Sequence, residues 1–426
     1  MLTPQQIAER IYRVLGEDME NSYLANFQTT AKLREDLGLD SSSILQLMVL
    51  LEVKHGLELS EDAVMAEDFE SVRSVTKVLH DAQWAKGEKA YLDYEEDIKL
   101  HCFVSCLGEA IKRQGLDQRT LYFGVWDSEI MVDDQYVISY HSETISHDFF
   151  IDWFRRLYGT EVEAWYRHDR TKDENAATLE ELVSKRKDGE HIMVMLDMFA
   201  LPERVNEFNK DPFPHYLMLG PTADPDTWFV FDPDYRYEGV APKERLLNAM
   251  KQPSVAGGYM FREQGMHAPH PADIKDYYEV CFHADVNPTT ETIRATVKAH
   301  LAGVDKNGEP LALDHLRVAL TEVPILSIRK YAYEHGLAFF FRELVLPEEE
   351  FDGWCEVIEE LVKTFKLVQF QSLKLAATGN RDIADKIFAL LDQQDERERK
   401  IKTRLHEVYA LWRDKMFPRA DHTIRA

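Results

Sequence analysis

The stretch Leu37-Gly38-Leu39-Asp40-Ser41 constrains the start of the chain most strongly, because it ends in polar residues that suit a helix N-terminus. Apolar residues then recur at helical spacing until Gly56, a residue type that commonly ends a helix. The pattern predicts an amphipathic helix over residues 42–55, with a buried stripe made of Ile44, Leu47, Met48 and Leu51. A helix with one apolar stripe must pack against others, so we expect a small helical module over residues 1–82.

The remainder of residues 1–82 predicts a first helix, a long loop, a short third helix and a last helix. Residues at helical spacing support the outer two, namely Ile7, Ile11, Val14, Leu15, Val72, Val75, Val78 and Leu79. In this layout the module resembles an acyl carrier protein. The resemblance implies that Ser41 carries 4′-phosphopantetheine, added by a phosphopantetheinyl transferase, and that a ligase loads the arm with an acyl or aryl group. The alternative is that Asp40-Ser41 is an ordinary helix cap.

The bulk composition favours a cytoplasmic protein of two or three domains. The chain has 426 residues and is 45 % hydrophobic, and its four cysteines do not make a disulfide framework. No apolar run is long enough for a membrane span, and residues 1–14 lack the apolar core of a signal peptide. The net charge of −26 argues against a nucleic-acid partner and is compatible with a cationic substrate.

Three regions follow the first module. Residues 83–94 have no clear period and predict a linker that would let the module swing. Residues 95–270 are predicted to be α+β with an antiparallel sheet, because several strands follow one another through turns. The predicted strands are 121–125, 136–140, 162–166, 192–197, 216–219, 228–231 and 259–261, with helices at 148–158 and 178–187.

Residues 271–426 are expected to be mainly helical. The predicted helices are 293–301, 315–320, 351–365, 384–391 and 397–412. No chemistry is expected in this region, and a helical cap or a homo-oligomer surface is the simplest interpretation of it.

Three side chains of the middle region fit nucleophilic catalysis in chain order. Cys102 stands where a helix begins, and the positive end of a helix dipole favours a thiolate. His215 precedes a strand and Asp232 ends the next one, so two strands joined by a turn can bring a base beside an orienting carboxylate. Cys106 is the alternative nucleophile, but it lies one turn deeper, where burial raises a thiol pKa. No metal site is expected, because Cys102 and Cys106 lack a second ligand pair of recognisable spacing.

The middle region, about residues 98–240, resembles the papain-like acyltransferases that move an acyl group from a carrier protein onto an aminoglycoside amine. The resemblance rests on His101-Cys102-x-x-Ser105, on Leu196-Asp197-Met198-Phe199-Ala200-Leu201-Pro202, on His215-Tyr216 and on Asp232-Pro233. It implies that Cys102, His215 and Asp232 are nucleophile, base and orienting acid. The overall layout also resembles the petrobactin siderophore pathway, where an aryl carrier protein passes 3,4-dihydroxybenzoate to an enzyme that acylates spermidine. This chain looks like those two proteins fused.

The expected activity is therefore transfer of an acyl or aryl group from the Ser41 arm through Cys102 to a primary amine such as a polyamine. Possible amine-binding carboxylates are Asp197, Glu203 and Asp211, although solvated surface is the simpler interpretation of each. Two alternatives stay open at this point: a thioesterase with the same three residues, and a carrier platform without catalysis of its own.

Overall fold

A computed structural model describes residues 4–55, 57, 69–82, 100–142, 145–201, 211–234 and 237–418. The predicted linker 83–94, Gly56, the third carrier helix and Glu203 lie outside the described residues. The described part confirms the α+β class, with carrier helices first, an antiparallel sheet in the middle and a helical C-terminal region. None of its helices combines the length and the apolar composition that a membrane crossing requires.

The N-terminal module is helical as predicted. Its described helices are α1 (Pro4–Arg13), α2 (Ser41–His55) and α3 (Val72–Ala82). Helix α2 begins where the sequence predicted, because Asp40 Oδ1 accepts a hydrogen bond from the Ser43 N–H at 2.5 Å and so caps the first turn. Gly38 precedes this cap with φ of +63°, a backbone conformation that favours glycine. The predicted apolar stripe is buried, namely Ile44, Leu47, Met48 and Leu51.

A six-stranded antiparallel sheet forms the centre of the middle region, with the strand order β3-β8-β4-β5-β6-β7. The strand bounds are β1 Met131–Val132, β2 Ile138–Ser139, β3 Val162–Ala164, β4 Glu190–Asp197, β5 Pro214–Pro221, β6 Thr227–Asp232, β7 Tyr237–Pro242 and β8 Gly258–Arg262. Strands β1 and β2 pair separately as a small hairpin. Every residue of β4 is buried, so this strand lies between two covered faces of the sheet.

Helices cover both faces of this sheet. They are α4 (Cys102–Arg113), α5 (Asp148–Tyr158), α6 (Lys172–Ser184) and α7 (Lys243–Met250). Helix α6 begins several residues before its predicted start because Thr171 and Glu174 form a reciprocal capping box. Strand β7 and helix α7 were not predicted from the sequence, because both are short.

The strand predicted at 121–125 is wrong, since residues Arg119–Gly124 form a 3₁₀ helix. Thr120, Leu121, Tyr122 and Phe123 are all buried there. A short run that is buried on every side has no period, so it cannot be told from a strand by its apolar pattern.

The C-terminal region is helical, as predicted, with much longer helices. Its helices are α8 (Pro271–Cys281), α9 (Pro288–Ala302), α10 (Leu316–Ala319), α11 (Val323–Ser327), α12 (Ala332–Leu344), α13 (Glu348–Thr378) and α14 (Asp382–Met416). The two helices predicted at 384–391 and 397–412 are one, because the charged residues between them continue the helix. Gln394 and Glu398 face the interior in that part of α14.

A buried charge cluster joins α14 to the middle region. The Lys330 ammonium donates to Asp127 at 2.9 Å and to Glu398 at 2.7 Å, and Lys402 donates to the other oxygen of Asp127 at 2.7 Å. Burial opposes ionisation of Asp127, but the two lysines outweigh it and hold the pKa of this carboxyl below its ordinary value. The last helix therefore fixes a side chain that lies in the wall of the cavity described next.

Candidate active site

Cys102 is the first residue of α4 and lies in the wall of a cavity of about 370 Å³. The preceding residue, His101, is extended and makes no side-chain cap. The first N–H groups of a helix have no acceptor within the helix, and they carry the positive end of its dipole. Cys102 is partly exposed in the cavity wall. A molecule in the cavity would therefore contact it at the N-terminus of α4.

His215 and Asp232 lie beside each other on neighbouring strands. His215 is the second residue of β5, and Asp232 is the last residue of β6. The His215 Nε2 and Asp232 Oδ1 atoms are 3.0 Å apart, and the two side chains are buried. His215 is also hydrogen-bonded to Cys102, the third residue of the arrangement.

The electrostatics of His215 couple it to both partners. Burial alone would lower the pKa of His215, but the charges of Asp232 and Cys102, and hydrogen bonds to both, raise it well above its ordinary value. The arrangement thus favours an imidazolium at His215, and it brings together all three residues that the sequence analysis proposed for catalysis.

Cys106, the alternative nucleophile, lies away from the cavity. It is fully buried, and its thiol faces the Tyr216 carbonyl oxygen at 3.8 Å. Burial, followed by the charge of Asp232, raises the pKa of the Cys106 thiol well above its ordinary value. A neutral thiol in this position is a poor nucleophile.

Asp234 is a site residue that the sequence analysis missed. Its carboxylate accepts hydrogen bonds from Ser105 Oγ at 2.8 Å and from the Leu100 N–H at 3.2 Å. Its own N–H donates to Asp232 Oδ1 at 3.2 Å. Asp234 therefore ties the start of α4, which carries Cys102, to the carboxylate that holds His215. The spacing of two carboxylates in Asp232-Pro233-Asp234 was the signal that could have found it.

Aromatic rings and imidazole rings line the cavity. The lining rings are Phe123, Tyr140, Phe149, Phe150, Phe213, Tyr216, His101, His141 and His147. Burial and then Arg329 lower the pKa of His101 well below its ordinary value, and burial lowers the pKa of His147 to about 4. Such a wall suits a flat aromatic guest, because rings stack or meet edge to face. Among the described residues, His101 Nδ1 is buried and has no hydrogen-bond partner.

The C-terminal region contributes to the cavity, which corrects the expectation that it has no role in the chemistry. Ile325, Ile328 and Arg329 line the wall that includes Cys102. The Arg329 guanidinium donates to the carbonyl oxygens of Glu129 at 2.9 Å and Tyr140 at 3.1 Å. Burial lowers its pKa to about 10, so Arg329 remains a cation inside the cavity wall at neutral pH. No local sequence pattern marks this arginine, because its place depends on packing between distant segments.

Of the suggested amine-binding carboxylates, Asp197 and Asp211 are not among the described residues that line the cavity. Asp197 is buried, and its oxygens accept from the N–H groups of Phe199 and Phe213 and from the Ser254 hydroxyl. These bonds give it a structural role, so neither a solvated surface nor amine binding describes it. Asp211 is exposed and is absent from the cavity wall.

The start of α2 fits an attached phosphopantetheine arm. Ser41 is the first residue of the helix and follows the loop that contains Gly38 and Asp40. The adjacent Ser42 is engaged elsewhere, since its hydroxyl contacts both Gln369 and Thr321. The loop-to-helix junction thus offers one serine at its first helical position for the group.

Comparison with known proteins defines the class that this fold and site belong to. Residues 5–79 match the model "Phosphopantetheine attachment site", residues 97–266 match "DUF6005 N-terminal domain" and residues 272–425 match "DUF6005 C-terminal domain". The chain is thus a phosphopantetheine carrier fused to a two-part DUF6005 protein, and its cofactor is covalently bound 4′-phosphopantetheine.

A relative with a named biosynthetic activity matches the larger part of the chain. The chain is 37 % identical over 318 residues to the petrobactin synthase of Bacillus anthracis, a match that covers 74 % of this chain and 96 % of the relative. The chain belongs to the family of that synthase, a family of biosynthetic enzymes. About a quarter of the chain falls outside the match, in line with a synthase-like protein that carries an additional domain.

Proposed function

We propose that the chain transfers an aryl group of the 3,4-dihydroxybenzoyl type from a phosphopantetheine carrier domain to a primary amine of a polyamine. The product is an amide, and the reaction is a step of siderophore biosynthesis. The observation that carries the proposal is the Cys102, His215 and Asp232 arrangement in an aromatic cavity, within a chain that also has a carrier domain. The relationship to a petrobactin synthase supports the siderophore context.

The proposed first half-reaction uses Cys102 as the acyl acceptor. The phosphopantetheine group, when attached to Ser41, supplies the acyl group as a thioester. The Cys102 sulfur attacks the acyl carbonyl carbon, while the N–H groups at the start of α4 stabilise the oxygen as it becomes negative. His215 then gives the proton on Nδ1 to the departing sulfur, which leaves the acyl group on Cys102.

In the proposed second half-reaction an amine attacks the acyl group on Cys102. His215 Nδ1 accepts the proton that the amine loses, and Asp232 holds the imidazole in the orientation this needs. The Cys102 sulfur leaves and the amide is released. Conversion of a thioester to an amide is downhill, so neither step consumes a nucleotide.

The cavity lining supports an aryl donor, and the net charge of the chain is compatible with a polyamine acceptor. Aromatic rings line the wall, and the pKa of His147, which burial lowers to about 4, keeps that imidazole neutral. The net charge of −26 attracts a polycation to the protein surface.

The test is to attach phosphopantetheine, load aryl groups and follow products by mass spectrometry with and without added polyamines. We expect Cys102→Ala to lower amide formation by about 10³-fold or more, because the nucleophile is lost. Ser41→Ala should remove both the mass increment of the cofactor and the product. Cys355→Ala is the matched control, since this half-buried cysteine lies on α13 and is not in the cavity wall.

Two outcomes contradict the proposal. Amide formation that survives Cys102→Ala excludes the cysteine acyl-enzyme. Release of the free aryl acid at the same rate with and without amines indicates a thioesterase.

A further inference from the structure

The carrier domain packs on the C-terminal helices of the same chain through the first turn of α2. The Gln369 side-chain amide, on α13, donates to Ser42 Oγ at 2.9 Å and to the Thr321 carbonyl oxygen at 3.2 Å. The Ser42 hydroxyl itself donates to the Thr321 carbonyl oxygen at 3.2 Å. Ser42, which makes these contacts with the C-terminal region, is therefore the neighbour of the proposed attachment residue, Ser41.

A second contact fixes the far end of α2. Glu52 and Lys374 form an ion pair between α2 and α13, and their side chains are 13 % and 26 % exposed. A pair that is this shielded from water interacts more strongly than a fully exposed one. The apolar side chains of both helices belong to one buried cluster that includes Leu47, Met48, Leu51, Leu320, Val368 and Leu373.

The segment that touches the carrier continues directly into the cavity wall. Thr321 contacts Ser42, and Glu322 accepts a hydrogen bond from the Tyr140 N–H at 2.7 Å. Helix α11 follows, and Ile325 and Arg329 line the cavity with Cys102. Thr321 and Arg329 are eight positions apart in the chain, and α11 makes most of the residues between them helical. The carrier contact and the cavity wall are thus joined by one short segment of chain.

We propose that this contact is a delivery position, in which the carrier docks on α13 and the Leu320–Glu322 turn of its own chain and serves its own Cys102. The chemistry of delivery rests on the proposed function of Cys102, whereas the docking rests on the contacts alone. The structure thereby assigns Gln369 and Lys374 as carrier-recognition residues, although neither touches the cavity.

Delivery within one chain predicts a particular concentration dependence. A tethered partner has an effective concentration of about 1 mM, so at micromolar protein its own chain is favoured by about 100-fold or more over a neighbour. A mixture of Ser41→Ala chains and Cys102→Ala chains holds intact carriers and intact cysteines only on different molecules. We expect this mixture to form amide at least about tenfold more slowly than the unmodified chain, with a rate per chain that rises with total protein.

Amide-forming activity of the mixture that approaches the unmodified rate at micromolar protein would overturn delivery within one chain. Loss of activity in both the mixture and the unmodified chain would instead count against the proposed function. The two failures are thus distinguishable.

The docking contact is tested without any acyl transfer, by hydrogen–deuterium exchange of the full-length protein before cofactor attachment. Lys374→Glu places two carboxylates together, and we expect the amides of α2 to exchange about fivefold faster or more. Adding Glu52→Lys restores opposite charges and should restore the protection. Lys185→Glu is the matched control, because Lys185 forms an exposed ion pair with Glu181 on α6. Unchanged exchange of α2 in Lys374→Glu, or no recovery in the double variant, would overturn the docking contact.

Discussion

The carboxylate of Asp232 binds two groups of the candidate site at once, the His215 ring and the Asp234 N–H. It is fully buried, so its negative charge acts on His215 with little screening by water. One oxygen thereby sets both the orientation of the base and the position of the loop that holds α4. Single-residue changes here should alter acid–base behaviour more than stability.

Asp232→Asn should change the pH dependence of amide formation. Asp232 is the strongest influence that raises the pKa of His215 against burial, so its loss lowers that pKa. His215 acts as a base only when its imidazole is neutral. In the unmodified chain the rate of amide formation therefore rises with pH until the pH exceeds the raised pKa of His215. In the variant this rise is expected at lower pH. The maximal rate falls by about 100-fold or more because the imidazole loses its orienting partner.

The measurement is the rate of amide formation across pH, accompanied by histidine NMR titration of His215. Asp226→Asn, in the exposed turn between β5 and β6, should leave the profile unchanged. A profile of Asp232→Asn with the same limb as the unmodified chain would contradict the coupling.

Among the elements, β8 shows how closely the sheet is packed. Trp165 lies over this strand and donates from its indole N–H to the Met193 carbonyl oxygen at 3.1 Å. A Cβ atom added at Gly258 would lie 2.2 Å from the Trp165 ring. The close approach of the Trp165 ring therefore requires glycine at position 258. Strand β8 can pair with both β3 and β4 only while no side chain occupies the space below that ring.

Gly258→Ala should lower the free energy of unfolding by about 1–3 kcal/mol, because the indole must shift from its hydrogen bond. Equilibrium urea unfolding measures the change. Gly353→Ala is the control, since nothing lies within 4 Å of the added atom in α13, and it should raise stability by about 0.5–1 kcal/mol. Equal effects in the two variants would contradict the packing argument.

Periodic elements were predictable from the sequence, and contacts between distant segments were not. Helix α5 coincides with its prediction at 148–158, since its apolar face repeats at helical spacing. Strands β4 and β5 were found, although both extend beyond their predicted ends. The run at 121–125 was misassigned because burial on every side removes its period. Arg329 was missed because only tertiary packing brings it to the wall that contains Cys102.

For the whole molecule, Lys402 makes one of the buried contacts that join the two matched DUF6005 domains. Lys402 donates to Asp127 and to the carbonyl oxygens of His283 and Val286. Its ammonium is almost fully buried, so removal leaves Asp127 and Glu398 to share Lys330 as their counter-charge. Breaking one partner of a buried ion pair is far more costly than losing an exposed pair.

Lys402→Met should destabilise the protein by about 3–5 kcal/mol. Lys400→Met, two residues away, removes an exposed ion pair with Glu396 and should cost less than about 1 kcal/mol. Urea unfolding of both variants, followed by tryptophan fluorescence, makes the comparison. Similar losses of stability would show that the buried cluster adds no more than a surface pair.

Tyr140 makes three hydrogen bonds to residues that are remote from it in sequence. Its N–H donates to Glu322, its carbonyl oxygen accepts from Arg329, and its hydroxyl donates to the Pro214 carbonyl oxygen beside His215. A chimera that exchanges residues 97–266 with a homologue would therefore take the two parts of the cavity wall from different proteins. We expect recombination between relatives to preserve function only when residues 320–330 and Tyr140 come from the same parent protein. In the described part of the chain, the carrier domain contacts the C-terminal region through α2, so we expect that an exchange of the carrier needs matching changes at Thr321, Gln369 and Lys374.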